Sequence, residues 1–516
     1  MASYPKISRL GAMDRLWILV ILGMLFIIGC VRSLPPNDLW WHARIGSEIL
    51  DSGQIPRHDT FSLTERGEPF FYQSWLAEVV MAGLIRLGGV RLLVLVRALI
   101  MVGLFGAVMG LCWWASGEDR RAAVPMTLAA ILLGLGNQTV RPQLFAYPLF
   151  IVAFAVLWRY TRGGARRLVW SVPLLFLVWV NLHGSFALGL GLVWLFFLGE
   201  LMSQRLPALA GRPPTHSRDW ERVKTLGLVA LFSTVALLVN PRGVEILGYV
   251  ADLLTDAPSQ LLGEEWQPAD PKTGLGGAFY FVFLSGVAAL AFARTSIPLT
   301  DLTLFLAFAW LAASGLRYVI WFGLVGAPIL TGVWSRFPWV DVVHWKSRLA
   351  RHHLGRRLLY GDGSGYPGFR RLALVVIGGG GVLALFLLLL HPGDGPWLTP
   401  YTGSDAVGFM EANGVQGRLF NELGRGSYLI WALGPSQPVF IDPRFELYSL
   451  DHFWDYVHLS RADEGTAALM EKYGFDLLLL GHEFQARLMQ WVEARPEQWD
   501  LLYQDRYTRL YRRLAE

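Results

Sequence analysis

Charge and cysteine are what this chain has least of. Only 16% of its 516 residues are charged, against about 25% in soluble domains, which excludes a protein kept in solution by surface charge and points to a polytopic membrane protein. There are two cysteines, Cys30 and Cys112. Both fall in apolar stretches, where they read as small hydrophobes rather than as the ends of a disulfide. No Gly-x-x-x-x-Gly-Lys-Ser/Thr run occurs, so the phosphate-cradling loop of a nucleotide-driven pump is missing. Lys6, Arg9 and Arg15 precede the first apolar run at 16–31 in the charge order of a signal sequence, but no Ala-x-Ala-like cleavage site follows it. The run is expected to be a retained anchor.

What the chain has in quantity is apolar sequence: 53% hydrophobic residues, with 22 Trp and 30 Phe. Apolar stretches near 16–31, 91–114, 123–136, 143–160, 168–181, 184–202, 223–240, 276–293, 298–315, 318–335 and 371–391 predict about eleven transmembrane helices, several shorter than the roughly 20 residues a crossing needs. The net charge of +5 does not call for nucleic acid, because the positive residues cluster between the apolar stretches and mark cytoplasmic ends. The clusters are Arg120 and Arg121; Arg159, Arg162, Arg166 and Arg167; Arg205 to Lys224; and Lys346 to Arg371. Eleven crossings with the N-terminus inside satisfy them all. Residues 75–88 are apolar enough for a twelfth span, but counting them would turn the later basic loops outward, so they are expected to lie in the interface as a juxtamembrane helix. The same parity puts 32–90, 137–142, 181–184, 241–275, 315–318 and the last 125 residues on the outer face of the cytoplasmic membrane.

Polar residues gather on that outer face. The first loop reads Asn37-Asp38-Leu39-Trp40-Trp41-His42, then Arg57-His58-Asp59-Thr60-Phe61-Ser62. Asp38 is a helix cap or a catalytic acid, and Asp59 closes a turn or joins the site. Arg141, before Pro142 and Gln143, sits in a short outer turn at headgroup depth, where a guanidinium needs either a carboxylate or a lipid-linked phosphate. Asn181 and His183 occupy a second turn, Glu265 a longer loop, and Arg317 a third tight turn. A purely structural bundle has no need of so many ionisable groups at one end.

These residues carry a likeness. The runs Asp38 to His42, Arg57 to Ser62, Trp75-Leu76-Ala77-Glu78, Arg141-Pro142-Gln143, Asn181-Leu182-His183-Gly184 and Asn240-Pro241 resemble the GT-C superfamily of polyprenyl-phosphate-dependent membrane glycosyltransferases, in particular a bacterial branch of integral membrane proteins akin to protein O-mannosyltransferases and aminoarabinose transferases. The likeness covers nearly the whole chain. It implies a GT-C-like transmembrane module at 1–240, with two juxtamembrane helices in the first external loop, a variable transmembrane module at 241–391 and an extracytoplasmic α/β domain at 392–516. The family's catalytic acid maps onto Asp38. Many relatives place a second acid beside it, whereas here the neighbour is Leu39, so a paired-acid or metal site does not carry over. The resemblance leaves a divalent metal open, since some members of the superfamily are metal-dependent, but the scattered carboxylates define no ligand set for one and no other cofactor is expected.

The tail carries eighteen acidic against eleven basic residues. Strands are predicted at Gly417–Asn421, Gly426–Trp431, Pro438–Asp442, 475–480, 500–503 and 507–512, with helices at 463–473 and 484–494. Asp442, Arg444 and Glu446 are candidates for acceptor binding.

The function expected is inverting transfer of a sugar from a polyprenyl-phosphate donor to a glycan, lipid or protein hydroxyl. Asp38 serves as base, His42 or Asp59 as orienting groups, and Arg141, Arg317 and His183 as phosphate ligands. Gln143, Asn181, Glu78 and Glu265 complete the candidates. Two other readings stay open: a transporter or flippase, which calls for polar groups at the midplane, and an envelope scaffold with a recognition domain.

Overall fold

The computed structural model describes residues 12–164, 166–206, 219–292, 297–336, 367–390 and 397–515. The basic run Lys346 to Arg357, together with Lys6, Arg9, Arg212 and Arg218, lies outside them.

A helix lies over each of the eleven apolar stretches. They are α1 (Ala12–Val31), the later part of α3 (Trp75–Ala115), α4 (Arg120–Gly134), α5 (Gln143–Thr161), α6 (Val172–Leu182), α7 (Phe186–Arg205), α8 (Trp220–Ala236), α11 (Gly274–Phe292), α12 (Leu299–Ser314), α13 (Val319–Trp334) and α14 (Pro367–Leu390). Helices at Trp75–Ala115, Gln143–Thr161, Phe186–Arg205, Gly274–Phe292 and Leu316–Trp334 are long and apolar enough to cross a membrane. Shorter apolar helices accompany them, and the chain is a multi-pass membrane protein. One large core of aromatic and aliphatic side chains joins the bundle. Arg97, fully buried in it, donates to the carbonyls of Gly29 and Arg32, satisfying the end of α1, where the helix has no partners of its own.

Two further helices precede the second apolar stretch. The first, α2 (Leu39–Ser52), buries Trp40, Trp41, Ile45 and Ile49 on one face and stops at Gly53, whose φ of +68° suits a left-handed cap. The second is the opening arm of α3, residues 75–87. It leaves the rest of α3 at a break where Gly88 and Gly89 depart from helical angles, with Gly89 at φ +67°. This break falls between the expected juxtamembrane helix and the expected span. The two helices pack in backbone contact: a methyl at Gly46 would collide with the carbonyl oxygen of Glu78. Between α8 and α11, residues 241–275 form two short helices, α9 (Glu245–Thr255) and α10 (Ala257–Leu262), and a turn at Glu264–Trp266.

The C-terminal residues form a four-stranded sheet in the order β1-β2-β4-β3 (β1 Leu419–Asn421, β2 Leu477–Gly481, β3 Trp499–Gln504, β4 Thr508–Arg513), with β1 and β2 parallel and the others antiparallel. Helices α15 (Ser404–Ala412), α16 (Leu423–Leu433), α17 (Leu450–Arg461), α18 (Thr466–Tyr473) and α19 (His482–Glu493) surround it. Two expectations are corrected. Gly426–Trp431 is not a strand but the body of α16, whose start is capped by the Glu422 carboxylate accepting from the amides of Gly424 and Arg425. Pro438–Asp442 makes isolated bridges through Val439, to Ser62 and to Leu419. The first of these ties the tail to the first loop, and the two share a core in which Trp41, Ile45, Phe61, Phe70 and Tyr72 pack with Leu429, Ile430, Val439 and Leu477.

Candidate functional site

At one end of the bundle, the loops joining its helices and the C-terminal region enclose a cavity of about 920 Å³, within the range of ligand sites. Asp38, His42, Glu78, Arg141, Gln143, His183, Glu265, Arg317, Arg444 and Glu446 all line it. Residues from seven separate stretches of sequence therefore meet at one place.

Asp38 precedes the first turn of α2 in helical geometry, and its carboxylate makes no capping hydrogen bond. It lies instead 3.0 Å from Nε of Arg141. Pro142 starts α5 and holds Arg141 just outside the helix. Nη1 of Arg141 donates to Oε2 of Glu265 at 2.7 Å. Glu265 also faces Nη1 of Arg317 at 4.0 Å, and the Arg317 guanidinium lies 3.9 Å from the centre of the Trp266 ring. The result is an alternating row of acid, guanidinium, acid and guanidinium along the cavity wall. Burial raises the pKa of Asp38 despite the opposing pull of Arg141. For Glu265 the balance tips the other way: burial is outweighed by its two arginines, and the carboxyl is held below its ordinary range. Arg141 is held more firmly protonated, chiefly by Asp38.

Beside this row are two imidazoles. Nδ1 of His42 is 2.8 Å from Oε1 of Glu78, and the ring stacks on Trp41 with centroids 3.5 Å apart. Burial, then His183 and Arg141, keeps His42 neutral by pushing it well below its usual range. His183 accepts the Ser185 amide at Nδ1, which leaves its proton on Nε2. Burial, with Arg317 and Arg141 nearby, depresses its pKa to about 3.

Three of the expected site residues have other surroundings. Asn181 accepts from Trp75 Nε1 and donates to the carbonyls of Leu177 and Val239. It borders a separate cavity of about 370 Å³ beyond Phe71, Tyr72 and Gln73. Asp59 and Asp442 are fully buried and do not line the main cavity. Arg444 joins them: its Nη1 donates to Asp59 at 2.6 Å, while Nε and Nη2 donate to Asp442 at 2.8 and 2.7 Å. Ser62 and Tyr448 donate to the same two carboxylates. Burial opposes ionisation of Asp59, but Arg444 and Ser62 outweigh it and hold the carboxyl below its usual range. These residues, expected to orient or bind an acceptor, clasp the first loop to the tail. Of the tail candidates, Glu446 has its carboxyl on the cavity, raised by burial to about 7.

Residues not singled out from the sequence also line the cavity, among them Tyr72, Trp266, Tyr249 and Glu483. Aromatics in outer loops are so common in membrane proteins that position alone did not distinguish them. Among the described residues no group of three His, Cys, Asp or Glu is arranged to hold a metal ion.

No family model matches the chain, and no curated protein matches it. Solved structures do. The Archaeoglobus fulgidus oligosaccharyltransferase in its apo form is similar at 12% identity with a TM-score of 0.52, over 92% of this chain and 70% of that one. ArnT from Cupriavidus metallidurans bound to undecaprenyl phosphate is similar at 14% identity and a TM-score of 0.50, over 97% and 98% of the two chains. The mycobacterial arabinofuranosyltransferase AftD, a mutant form, is similar at 13% identity and a TM-score of 0.51, over 99% of this chain and 42% of that one. At these identities the likeness is one of fold alone, which this chain shares with these three membrane transferases.

Proposed function

We propose that this chain, built on the GT-C fold, is a glycosyltransferase that moves a sugar from a polyprenyl-phosphate donor to a hydroxyl acceptor. The observation that carries the reading is the row Asp38, Arg141, Glu265 and Arg317 on one cavity wall. A carboxylate whose pKa is raised by burial stands beside two guanidinium groups, which gives a proton acceptor next to a phosphate-sized anion site.

In this scheme the donor phosphate displaces Glu265 from Arg141 and Arg317, and Nε2–H of His183 adds a further donor. Asp38 takes the proton of the acceptor hydroxyl as its oxygen attacks the anomeric carbon. The new carbon–oxygen bond forms on the face opposite the breaking bond to phosphate, so configuration inverts, and the arginines receive the charge that develops on the leaving phosphate. His42, held by Glu78, and the Glu446 carboxyl orient the acceptor, with Gln143 at the cavity edge. Support also comes from the ArnT structure bound to undecaprenyl phosphate, since a chain of this fold takes such a lipid.

The topology belongs to the same proposal. Eleven crossings with the N-terminus in the cytoplasm place the cavity and the α/β tail on the outer side of the cytoplasmic membrane. The division at 240 and 391 separates a core module from a variable one and from the tail. The cavity walls come from a single end of the bundle, which favours transfer over transport, because transport needs a binding site that both sides can reach.

The test uses the full chain in lipid nanodiscs. Asp38→Asn is expected to retain undecaprenyl phosphate, measured by native mass spectrometry, and to lose transfer by about 10²-fold or more. The double variant Arg141→Ala with Arg317→Ala is expected to lose the lipid itself. Full transfer by Asp38→Asn removes the base assignment, and unchanged lipid binding by the double variant removes the phosphate site.

A further inference from the structure

Arg57, Asn181 and the turn Asn240-Pro241-Arg242 have no part in the transfer scheme, and they meet around the second cavity, of about 370 Å³. Side-chain amides build its walls. Gln73 Nε2 donates to the carbonyl of Val180 at 2.7 Å and Asn181 Nδ2 to that of Val239 at 2.9 Å, which ties the first loop to the end of α6 and the end of α6 to the end of α8. Asn240 Oδ1 accepts the Arg242 amide at 2.8 Å, and its Nδ2 donates to the carbonyl of Gly243 at 2.9 Å. The turn that carries Arg242 is closed in this way, and the three amides are occupied by the main chain.

The two arginines are far less engaged. The Phe70 amide donates to the Arg57 carbonyl at 3.0 Å and fixes its main chain, but the exposed Arg57 guanidinium has no ion pair or hydrogen bond among the described residues. Arg242 lies against the Phe71 ring, 4.6 Å from its centre. Its contacts with the Phe70 carbonyl and with Glu245 are both long, at 3.4 Å, and the Glu245 side chain is 64% exposed, where an ion pair contributes little. Among the described residues no Asp or Glu lines this cavity. The main cavity, by contrast, sets an acid against each of its arginines.

Two guanidinium groups lining a cavity free of carboxylates select an anion. An amine is repelled, and a neutral sugar finds the side-chain amides already taken, whereas the paired N–H donors of arginine fit the oxygens of a phosphate or a carboxylate. The volume is within the range of small-molecule sites, with room for a phosphate and the glycerol or sugar that bears it. Phe71, Tyr72 and Gln73 line both cavities, so a ligand here lies one wall away from the cavity of Asp38. We propose that this pocket holds the phosphate or carboxylate group of an anionic acceptor, through Arg57 and Arg242, apart from the arginine row that takes the donor phosphate. The inference rests on the transferase reading and names the class of its acceptor.

The full chain in phosphatidylcholine nanodiscs, saturated with undecaprenyl phosphate, is offered glycerol 3-phosphate, dioctanoyl phosphatidic acid or the neutral dioctanoylglycerol, with occupancy read by native mass spectrometry. At least one of the two phosphates is expected to bind alongside undecaprenyl phosphate, about tenfold more tightly than the neutral lipid. Binding of both phosphates assigns a soluble or lipid-borne anion, and binding of phosphatidic acid alone assigns a lipid-borne one. Arg57→Gln is expected to weaken the phosphate probe about tenfold and to leave undecaprenyl phosphate within about twofold. Its thermal midpoint without probe should be unchanged, since the guanidinium it removes has no partner; a structural arginine would lower it. Arg242→Gln is the second variant and should weaken the probe in the same way, with Arg242→Lys restoring part of the loss.

Four results overturn the pocket: no binding of either phosphate, equal binding of phosphatidic acid and dioctanoylglycerol, binding unchanged in both glutamine variants, or displacement of the probe by undecaprenyl phosphate. Each of these leaves the donor site standing. Wild-type protein that retains no undecaprenyl phosphate overturns the transferase reading, and the acceptor role with it, even where phosphate binding still depends on Arg57.

Discussion

Asp38 carries the most weight of any single residue, and its surroundings decide how activity depends on pH. Burial raises its pKa, and a base works only when deprotonated. Transfer should therefore fall as pH drops through a midpoint above the ordinary aspartate value of about 3.9. The imidazoles do not set that limb, because both are depressed, His183 to about 3 and His42 well below its usual range. The Glu446 carboxyl, raised to about 7, titrates in the same cavity, so the limb that belongs to Asp38 is the one expected to persist in a pH profile of kcat/KM for both His183→Gln and Glu446→Gln. A limb that moves or vanishes in either variant would assign it to the residue replaced. From the sequence alone, capping and catalysis were equally open for Asp38. The structure removes the cap, since the carboxylate pairs with Arg141, and Arg141 lies in a loop 103 residues away that no local pattern links to it.

Among the elements, the contact between α2 and the opening arm of α3 holds the most of the site, because Trp41, His42 and Glu78 all project from it. The approach is close enough that a side chain at Gly46 meets the main chain of Glu78, which cannot move aside as a flexible side chain could. Gly46→Ala should separate the two helices, at a cost in the range of about 1–3 kcal/mol seen for overpacked cores or more, and break the contact between His42 and Glu78. Gly83→Ala, on the same arm with open space around it, should be neutral or slightly stabilising. Thermal unfolding of the two variants in detergent checks this; equal midpoints would show that the helices are free to part. Apolar run length made the helices of the bundle legible in the sequence, and the distribution of basic loops set 75–88 apart from the following span, where the structure breaks α3 at Gly88 and Gly89. In the tail, short apolar runs served less well. Leu429-Ile430-Trp431, preceded by Gly424 and Gly426, has a strand's composition, and only the Glu422 cap with burial of one face makes it a helix.

Across the whole molecule, the cavity exists because the tail is fastened to the first loop, and the fastening is a buried guanidinium shared by two carboxylates. Arg444 and Asp59 are 385 residues apart, so the pairing is invisible to any reading of motifs; the sequence offers Asp59 as an orienting group of the catalytic site and Arg444 as an acceptor-binding residue, with nothing to join them. Replacing Arg444 with Leu leaves Asp59 and Asp442 buried together without a counter-charge, a change that costs about 3–5 kcal/mol for pairs of this kind. The pH dependence should then reverse. In the wild-type protein Asp59 titrates below its ordinary value, so its contribution to stability is complete above about pH 3.9 and is lost as pH falls through the lower native value. In Arg444→Leu the two carboxyls lose their cation and gain from protonation, so the variant should be most impaired near neutrality and recover part of the difference on mild acidification. Thermal midpoints from pH 7 downward, with proteolysis followed at the junction between the first loop and the tail, measure both effects. A variant as stable as the wild-type protein at neutral pH, with the junction equally protected, would mean that the shared apolar core alone holds the two regions together. If the junction opens, transfer should be lost even though Arg141 and Arg317 remain in place, because Glu446, on the tail, would no longer share a closed cavity with Asp38.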